Sequence, residues 1–237
     1  MSANKSRLSV AALSSCVVAA ATLGGAASET LATFTGFTTT QVTVGGVTKV
    51  QVFANFHGAT DTVLNAFHIN KTVGGGSPVF HHNDALTGGV DSTVAGTWNP
   101  QFVTVPGAFD SYVCIGGGEG FASGNSTNAD PDWGAAGYNQ AQMPFIGVPG
   151  NTTNGPGWFN SNPPNLQGRV AGGQVRLGQF VLNTTDAAVT LFMKIGYNDG
   201  VPGSPVQFAE GTFMLGVPAP GAIALLGLAG LTGRRRR

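Results

Sequence analysis

Hydrophobic and polar residues alternate along the chain in short stretches, and the alternation is most regular toward the C-terminal end. Two ten-residue stretches, 174–183 and 188–197, alternate with a period of two residues, as half-buried β-strands do. Their apolar positions are predicted to share one face within each strand: Val175, Leu177 and Val181 in the first, and Val189, Leu191, Met193 and Ile195 in the second. A turn at Asn198-Asp199-Gly200 leads into a third strand, 206–215, which predicts an antiparallel meander.

The N-terminal half has a similar pattern. Residues 47–56 place four apolar side chains on one face: Val50, Val52, Ala54 and Phe56. A turn at 58–61 leads into a strand over 63–70, and shorter strands are predicted at 31–37, 101–105 and 110–116. Because no window of the body has a convincing helical period, we predict an all-β fold: a single antiparallel β-sandwich, with a jelly roll as the variant.

The pattern weakens between residues 116 and 173, which are rich in Gly, Asn and Pro but also contain large aromatic residues. Disordered linkers are usually depleted in aromatic residues. We therefore predict long, partly ordered loops that pack against one end or edge of the sandwich.

The first 27 residues have the three parts of a secretory signal peptide. Lys5 and Arg7 precede an apolar stretch over 8–23, predicted to be helical, and small residues surround Ala27, the predicted cleavage position. Two alternatives are a buried N-terminal helix and a lipobox that would make Cys16 a lipidated N-terminus. The predicted organisation is a signal peptide over 1–27, a β-sandwich body over 28–216 and a separate tail over 217–237.

Charge and cysteine content separate the body from the ends. The whole chain has a formal net charge of +0, but the body holds all 11 acidic residues and only five of the 11 basic ones. An acidic body argues against nucleic-acid binding, which needs a basic surface. Cleavage near Ala27 would leave Cys114 as the only cysteine, so we expect no internal disulfide and a buried, unreactive thiol.

Two groups of residues are candidates for metal binding. The oxygen-bearing side chains of Asn128, Asp130 and Asp132 alternate as they do in calcium-binding loops, and a solvated Asx-turn is the alternative. His81 and His82 precede Asp84, but adjacent residues on a strand point to opposite faces and cannot share one metal without a turn. Apart from a calcium ion, no cofactor is expected.

The predicted loops supply candidates for ligand binding: Trp133, Tyr138, Trp158 and Phe159. Exposed aromatic rings on sandwich loops can stack on sugar rings, and the alternative is a small core beneath the loops. The sequence has no Gly-x-Ser-x-Gly motif for a nucleophilic serine. A hydrolase would need carboxylates that meet only in the folded protein, such as Glu119, Asp130 and Asp132.

The last segment begins with Val217, Pro218, Ala219 and Pro220, continues with an apolar run over 221–233, and ends with Arg234, Arg235, Arg236 and Arg237. As a helix the run would be about 20 Å long, shorter than the roughly 20 residues that a spanning helix needs. The arginines would stay in the cytoplasm by the positive-inside rule. We expect a short hydrophobic helix that halts export only transiently.

This order of parts resembles the PEP-CTERM sorting tail of exported bacterial proteins, with Pro-Ala-Pro in place of Pro-Glu-Pro. The resemblance implies that a membrane-embedded exosortase cleaves near the prolines and then releases or re-anchors the protein. Members of this family are typically exported by envelope- or biofilm-forming bacteria, with highly varied bodies.

Together these features predict an exported cell-surface or extracellular-matrix protein with a non-enzymatic, structural or adhesive role. The alternative is a carbohydrate-binding module, and a hydrolase is less favoured. The expected partners are signal peptidase, an exosortase-type enzyme, the membrane through the tail and extracellular polysaccharide, but not nucleic acid.

Overall fold

The computed structural model describes residues 33–73, 78–103, 109–117, 124–144 and 155–216. The predicted signal peptide, with its helix and Cys16, and the predicted C-terminal sorting tail lie outside these residues. Within the described ranges, no helix has both the length and the apolar character needed to cross a bilayer.

The described residues form strands in two antiparallel sheets, in agreement with the predicted β-sandwich. The strands are β1 (Phe34–Val44), β2 (Val47–Phe56), β3 (Thr62–Val73), β4 (Tyr112–Val113), β5 (Thr127–Ala129), β6 (Trp158–Asn160), β7 (Gln174–Asn183), β8 (Val189–Asn198) and β9 (Gln207–Leu215). One sheet has the order β1-β2-β7-β4, and the other has the order β5-β6-β3-β8-β9. Three short 3₁₀ turns lie in the connections, at Pro100–Phe102, Pro131–Trp133 and Pro163–Asn165.

The core lies between the two sheets and is built from the faces that the alternation predicts for β2 and β8. All four predicted apolar residues of β2 and all four of β8 are buried in it. Aromatic rings join the sheets: the Phe56 and Tyr197 centroids lie 5.2 Å apart, and those of Phe180 and Phe213 lie 6.4 Å apart. Burial of these apolar faces is the main favourable term in folding.

The predicted face of β7 is wrong beyond its midpoint. Val52 pairs with Gly178 and the next residue, Phe53, pairs with Arg176, so Leu177 is the extra residue of a β-bulge. Val175 and Leu177 enter the core, as predicted, but beyond the bulge Phe180 and Leu182 take the core positions. Val181 is buried outside the main core.

The region 116–173 contributes to the second sheet and also contains long loops. Strands β5 and β6 pair with each other, and β6 pairs with β3, so this region extends one edge of the sheet. The strand predicted at 101–105 is wrong where the structure describes it, because Pro100–Phe102 is a 3₁₀ turn. The strand predicted at 110–116 is reduced to two residues, Tyr112–Val113.

Residues 80–103 fold back on themselves beside β7. Phe80 forms a bridge with Leu182 of β7, His82 with Ser92, and Asp84 with Val103. The amide of Ser111 donates to the carbonyl of His81 at 3.0 Å, which fixes the chain just before β4 beside the same segment. This arrangement brings side chains from two distant parts of the sequence together.

Candidate functional site

A buried cluster of three titratable side chains lies where these two segments meet. His82, Asp84 and Asp110 each offer one ligand atom, and these atoms all lie within 4.8 Å of one another. His82 and Asp84 are 0% exposed and Asp110 is 1% exposed. Buried carboxylates are costly unless they are paired, hydrogen-bonded or bound to a metal, so this cluster needs a physical explanation.

The His82 ring is held by a bond on its far side. Its Nε2 atom lies 2.8 Å from the carbonyl oxygen of Ala141. A carbonyl can only accept, so Nε2 carries a hydrogen and the neutral ring has its lone pair on Nδ1. This Nδ1 lies 3.6 Å from Oδ1 of Asp110 and 3.9 Å from Oδ2 of Asp84. Among the described residues it has no hydrogen-bond partner.

Asp84 is fixed by the backbone of its own loop. Its Oδ1 accepts from the amides of Leu86, at 2.7 Å, and Thr87, at 3.0 Å. Its Oδ2 accepts from the amide of Thr97 at 2.7 Å. These three bonds hold the carboxylate rigidly with Oδ2 toward His82.

Asp110 is less well satisfied. Its Oδ1 accepts from the amide of Asn83 at 2.9 Å, whereas its buried Oδ2 has no hydrogen-bond partner in the described part of the chain. Burial raises the pKa of this carboxyl, although the His82 side chain and the Asn83 amide oppose that shift. Burial therefore disfavours the ionised form of Asp110 relative to the same carboxylate in water.

The adjacent histidine does not join the cluster. His81 Nδ1 lies 3.0 Å from the carboxylate of Asp91, and its Nε2 lies 3.0 Å from Oδ1 of Asn183. Neighbouring residues of an extended segment point in opposite directions, and His81 and His82 accordingly contact different residues.

The second candidate metal group is organised around the backbone. Oδ1 of Asp130 accepts from the amides of Asp132, at 3.0 Å, and Gly157, at 3.1 Å. This carboxylate thus caps the 3₁₀ turn at Pro131–Trp133 and ties it to the residue before β6. Burial raises its pKa, and Asn128 is exposed on β5. These bonds account for the position of the Asp130 carboxylate, and calcium binding by this group stays a prediction.

Three of the four candidate ligand-binding aromatics are buried. Trp133, Tyr138 and Trp158 are 2%, 8% and 1% exposed and belong to the core, although Tyr138 also lines a surface groove. The indole of Trp158 donates to the carbonyl of Cys114 at 2.9 Å, and the indole of Trp133 donates to that of Gly157. Phe159 differs, with 37% of its surface exposed.

Phe159 lines an open groove of about 600 Å³ on the surface. The groove also contains Phe102, which is 37% exposed, and the amide side chains of Asn99, Asn128 and Asn139. A smaller, largely apolar cleft of about 420 Å³ lies between Pro163-Pro164 and the 200–203 turn. The groove therefore combines exposed rings with amide groups, whereas the cleft is mainly apolar.

Other residues of interest are placed as follows. Cys114 is fully buried, and this burial raises the pKa of its thiol to about 12. Glu119, the third carboxylate of the hypothetical hydrolase, lies outside the described residues.

Sequence reasoning missed Asp110 as a partner of His82. The signal within the local sequence is the spacing of His82 and Asp84, because residues two apart in an extended segment share a face. Asp110 comes from 26 residues beyond Asp84, and only the chain path beside β7 brings it close.

No family model, curated protein or solved structure matches this chain.

Proposed function

We propose that this chain is an exported bacterial cell-surface or extracellular-matrix protein with a non-enzymatic, structural or adhesive body. The observation that carries the proposal is the order of parts at the C-terminus: the prolines at 218 and 220, the apolar run over 221–233 and the four arginines. An apolar run too short for a stable span, closed by arginines, fits a processing signal better than a permanent anchor.

The position of the last strand supports this proposal. Strand β9 ends at Leu215, at the edge of its sheet, and Val217 begins the tail two residues later. Cleavage near Pro218 or Pro220 would therefore leave every described strand intact. A sorting signal that is removed after export has to be dispensable for the fold, and this spacing meets that requirement.

The body also suits a protein that must persist outside the cell. Its core includes three fully buried tryptophan side chains, Trp98, Trp133 and Trp158, and the one cysteine that the structure describes, Cys114, is free. Aromatic side chains of this size bury much apolar surface. Burial of these side chains contributes strongly to the stability of the sandwich.

A cell-fractionation experiment tests the proposal. The full chain is expressed in a bacterium that has an exosortase-type enzyme and in a matched strain that lacks it. We expect the protein in the outer envelope or medium of the first strain and in the inner membrane of the second. The variant with Arg234→Gln, Arg235→Gln, Arg236→Gln and Arg237→Gln should lose this dependence. Equal distributions in both strains would contradict the proposal.

The groove around Phe159 supports a second candidate function, carbohydrate binding. Its two partly exposed rings and three asparagine side chains are the group types that stack on and hydrogen-bond to sugars. Under this alternative the body would recognise an extracellular polysaccharide, with Phe159 and Asn128 as contacts.

Glycan-array binding with paired variants tests this second function. Phe159→Ala should abolish binding, whereas Phe208→Ala, which removes an exposed ring on the opposite edge strand β9, should leave it unchanged. Equal binding by both variants would show that the groove is not the site. Absence of binding to every glycan would remove the carbohydrate function and leave the export proposal untouched.

A further inference from the structure

We infer that His82, Asp84 and Asp110 form a buried structural site for a divalent transition-metal ion, with Zn²⁺ as the ion that fits best. The inference rests on the geometry and burial of these three side chains and does not depend on the proposed export or on the groove.

The orientation of the His82 ring is the first argument. Its Nε2–H is used by the Ala141 carbonyl, so Nδ1 directs a lone pair into the space that it shares with two carboxylates. A lone pair facing carboxylate oxygens is repulsive unless a proton or a cation lies between them. An imidazole that donates from one nitrogen to a backbone carbonyl and presents the other to a metal is the usual arrangement of a histidine ligand.

The distances are the second argument. Tetrahedral zinc with bonds of about 2.1 Å holds its ligand atoms roughly 3.4 Å apart. The Nδ1–Oδ separations of 3.6 and 3.9 Å in the cluster need only small adjustments to reach that value. They are too long for direct hydrogen bonds but within ion-pair range, so either a proton on Nδ1 or a cation is needed to hold these side chains together.

Charge and ligand type are the third argument. Two ionised carboxylates carry two negative charges, which a single divalent cation bound by the imidazole nitrogen would neutralise. The nitrogen ligand favours zinc and other transition metals over calcium and magnesium, which prefer all-oxygen sites. The unpartnered Oδ2 of Asp110 is a further oxygen available to the ion.

The location indicates a structural role. The three ligands are at most 1% exposed, so the site has no open position facing solvent for a substrate. They connect the 82–84 segment to the residues before β4, and the ring also contacts Ala141. Cys114 is the only cysteine that the structure describes, and it is free, so a metal would link these loops in the way that a disulfide links loops in disulfide-bonded proteins.

Because a buried ion would enter during folding, the test is a refolding experiment. The full chain, without a polyhistidine tag, is unfolded in guanidinium with a chelator and refolded with or without equimolar Zn²⁺. Free ion is then removed by gel filtration, and bound zinc is measured by mass spectrometry. Wild type and the exposed-site control Asp91→Asn should each retain one zinc per chain. Asp110→Asn and His82→Gln should retain less than about one tenth of that amount, because each loses a ligand.

Two measurements on the wild type keep the test decisive if the variants fail to fold. Zinc should raise the thermal midpoint of the refolded wild type, since an ion that binds only the folded state stabilises it. Refolding with Co²⁺ should give the visible absorption typical of four-coordinate cobalt. The inference would be overturned if the wild type retained no metal and had the same thermal midpoint with and without zinc. In that case a proton shared between His82 and the two carboxylates would explain the cluster. Equal retention by wild type, Asp110→Asn and His82→Gln would place the metal elsewhere, for example at Cys16, and would also overturn it.

Discussion

Gly96 lies directly against the His82 side chain, so closely that a Cβ atom at position 96 would fall 2.3 Å from the Cβ of His82. Its φ of +141° adds a backbone conformation that other residues rarely adopt. The glycine is therefore required by the ring that faces Asp84 and Asp110.

Substitution at this position should be far more costly than at a glycine with open surroundings. Gly96→Ala adds steric overlap to backbone strain and should lower the free energy of unfolding by about 3 kcal/mol or more. Gly88→Ala is the matched control: its φ is +67°, but a Cβ there meets nothing within 4 Å, so strain of about 1 kcal/mol is expected. Urea unfolding measures both, and equal losses would show that the contact with His82 is unimportant.

Truncation of the adjacent residues Trp158 and Phe159 should destabilise the protein to very different extents. Trp158 is 1% exposed and bonded to the Cys114 carbonyl, so Trp158→Ala should cost about 3–5 kcal/mol. Phe159 is 37% exposed, so Phe159→Ala should cost less than about 1 kcal/mol. Chemical unfolding followed by circular dichroism distinguishes them. A large loss at Phe159 would mean that its ring serves the core rather than the groove.

Cys114 should be unreactive in the folded protein. Its burial raises the thiol pKa to about 12, so almost no thiolate forms near pH 8. Iodoacetamide alkylation, located by peptide mapping, should be more than roughly 100-fold slower at Cys114 in the native chain than in the unfolded chain. Similar rates in the two states would contradict the burial.

Asp130 should make stability depend on pH. Burial raises its pKa, so the folded state holds the proton more tightly than the unfolded state. This contribution to stability is present at low pH and is lost as the pH rises from the ordinary carboxyl range, about 4, through the folded pKa. Asp130→Asn keeps the Oδ1 that accepts both backbone bonds but carries no charge. It should therefore gain stability relative to wild type as the pH rises toward 7, as measured by urea unfolding. If the free energy of unfolding changed with pH in the same way in wild type and Asp130→Asn, the raised pKa of Asp130 would be contradicted.

Most of the long strands were predictable because apolar and polar residues alternate along much of their length. The predicted bounds of β2 and β7 coincide with those in the structure, although the alternation in β7 holds only through its first half. Strands β5 and β6 have only three residues each, too few to produce a detectable period.

The predictions that were wrong or incomplete concern features that depend on tertiary structure. The bulge at Leu177 reverses which residues of β7 face the core, and alternation alone does not reveal an extra residue in the pairing. The sequence indicates only two members of the cluster, His82 and Asp84, through their spacing. Asp110 lies next to them because of contacts between residues far apart in the sequence. The burial of Trp133 and Trp158 likewise depends on how the loops pack.

Removal of the proposed C-terminal sorting tail after export can be measured as the intact mass of the protein recovered outside the cells. Expression in an exosortase-bearing host should yield a chain that begins near Ser28 and has lost Arg234, Arg235, Arg236 and Arg237, while its circular dichroism remains that of a β-protein. Secreted protein whose mass still includes all four arginines would contradict the account.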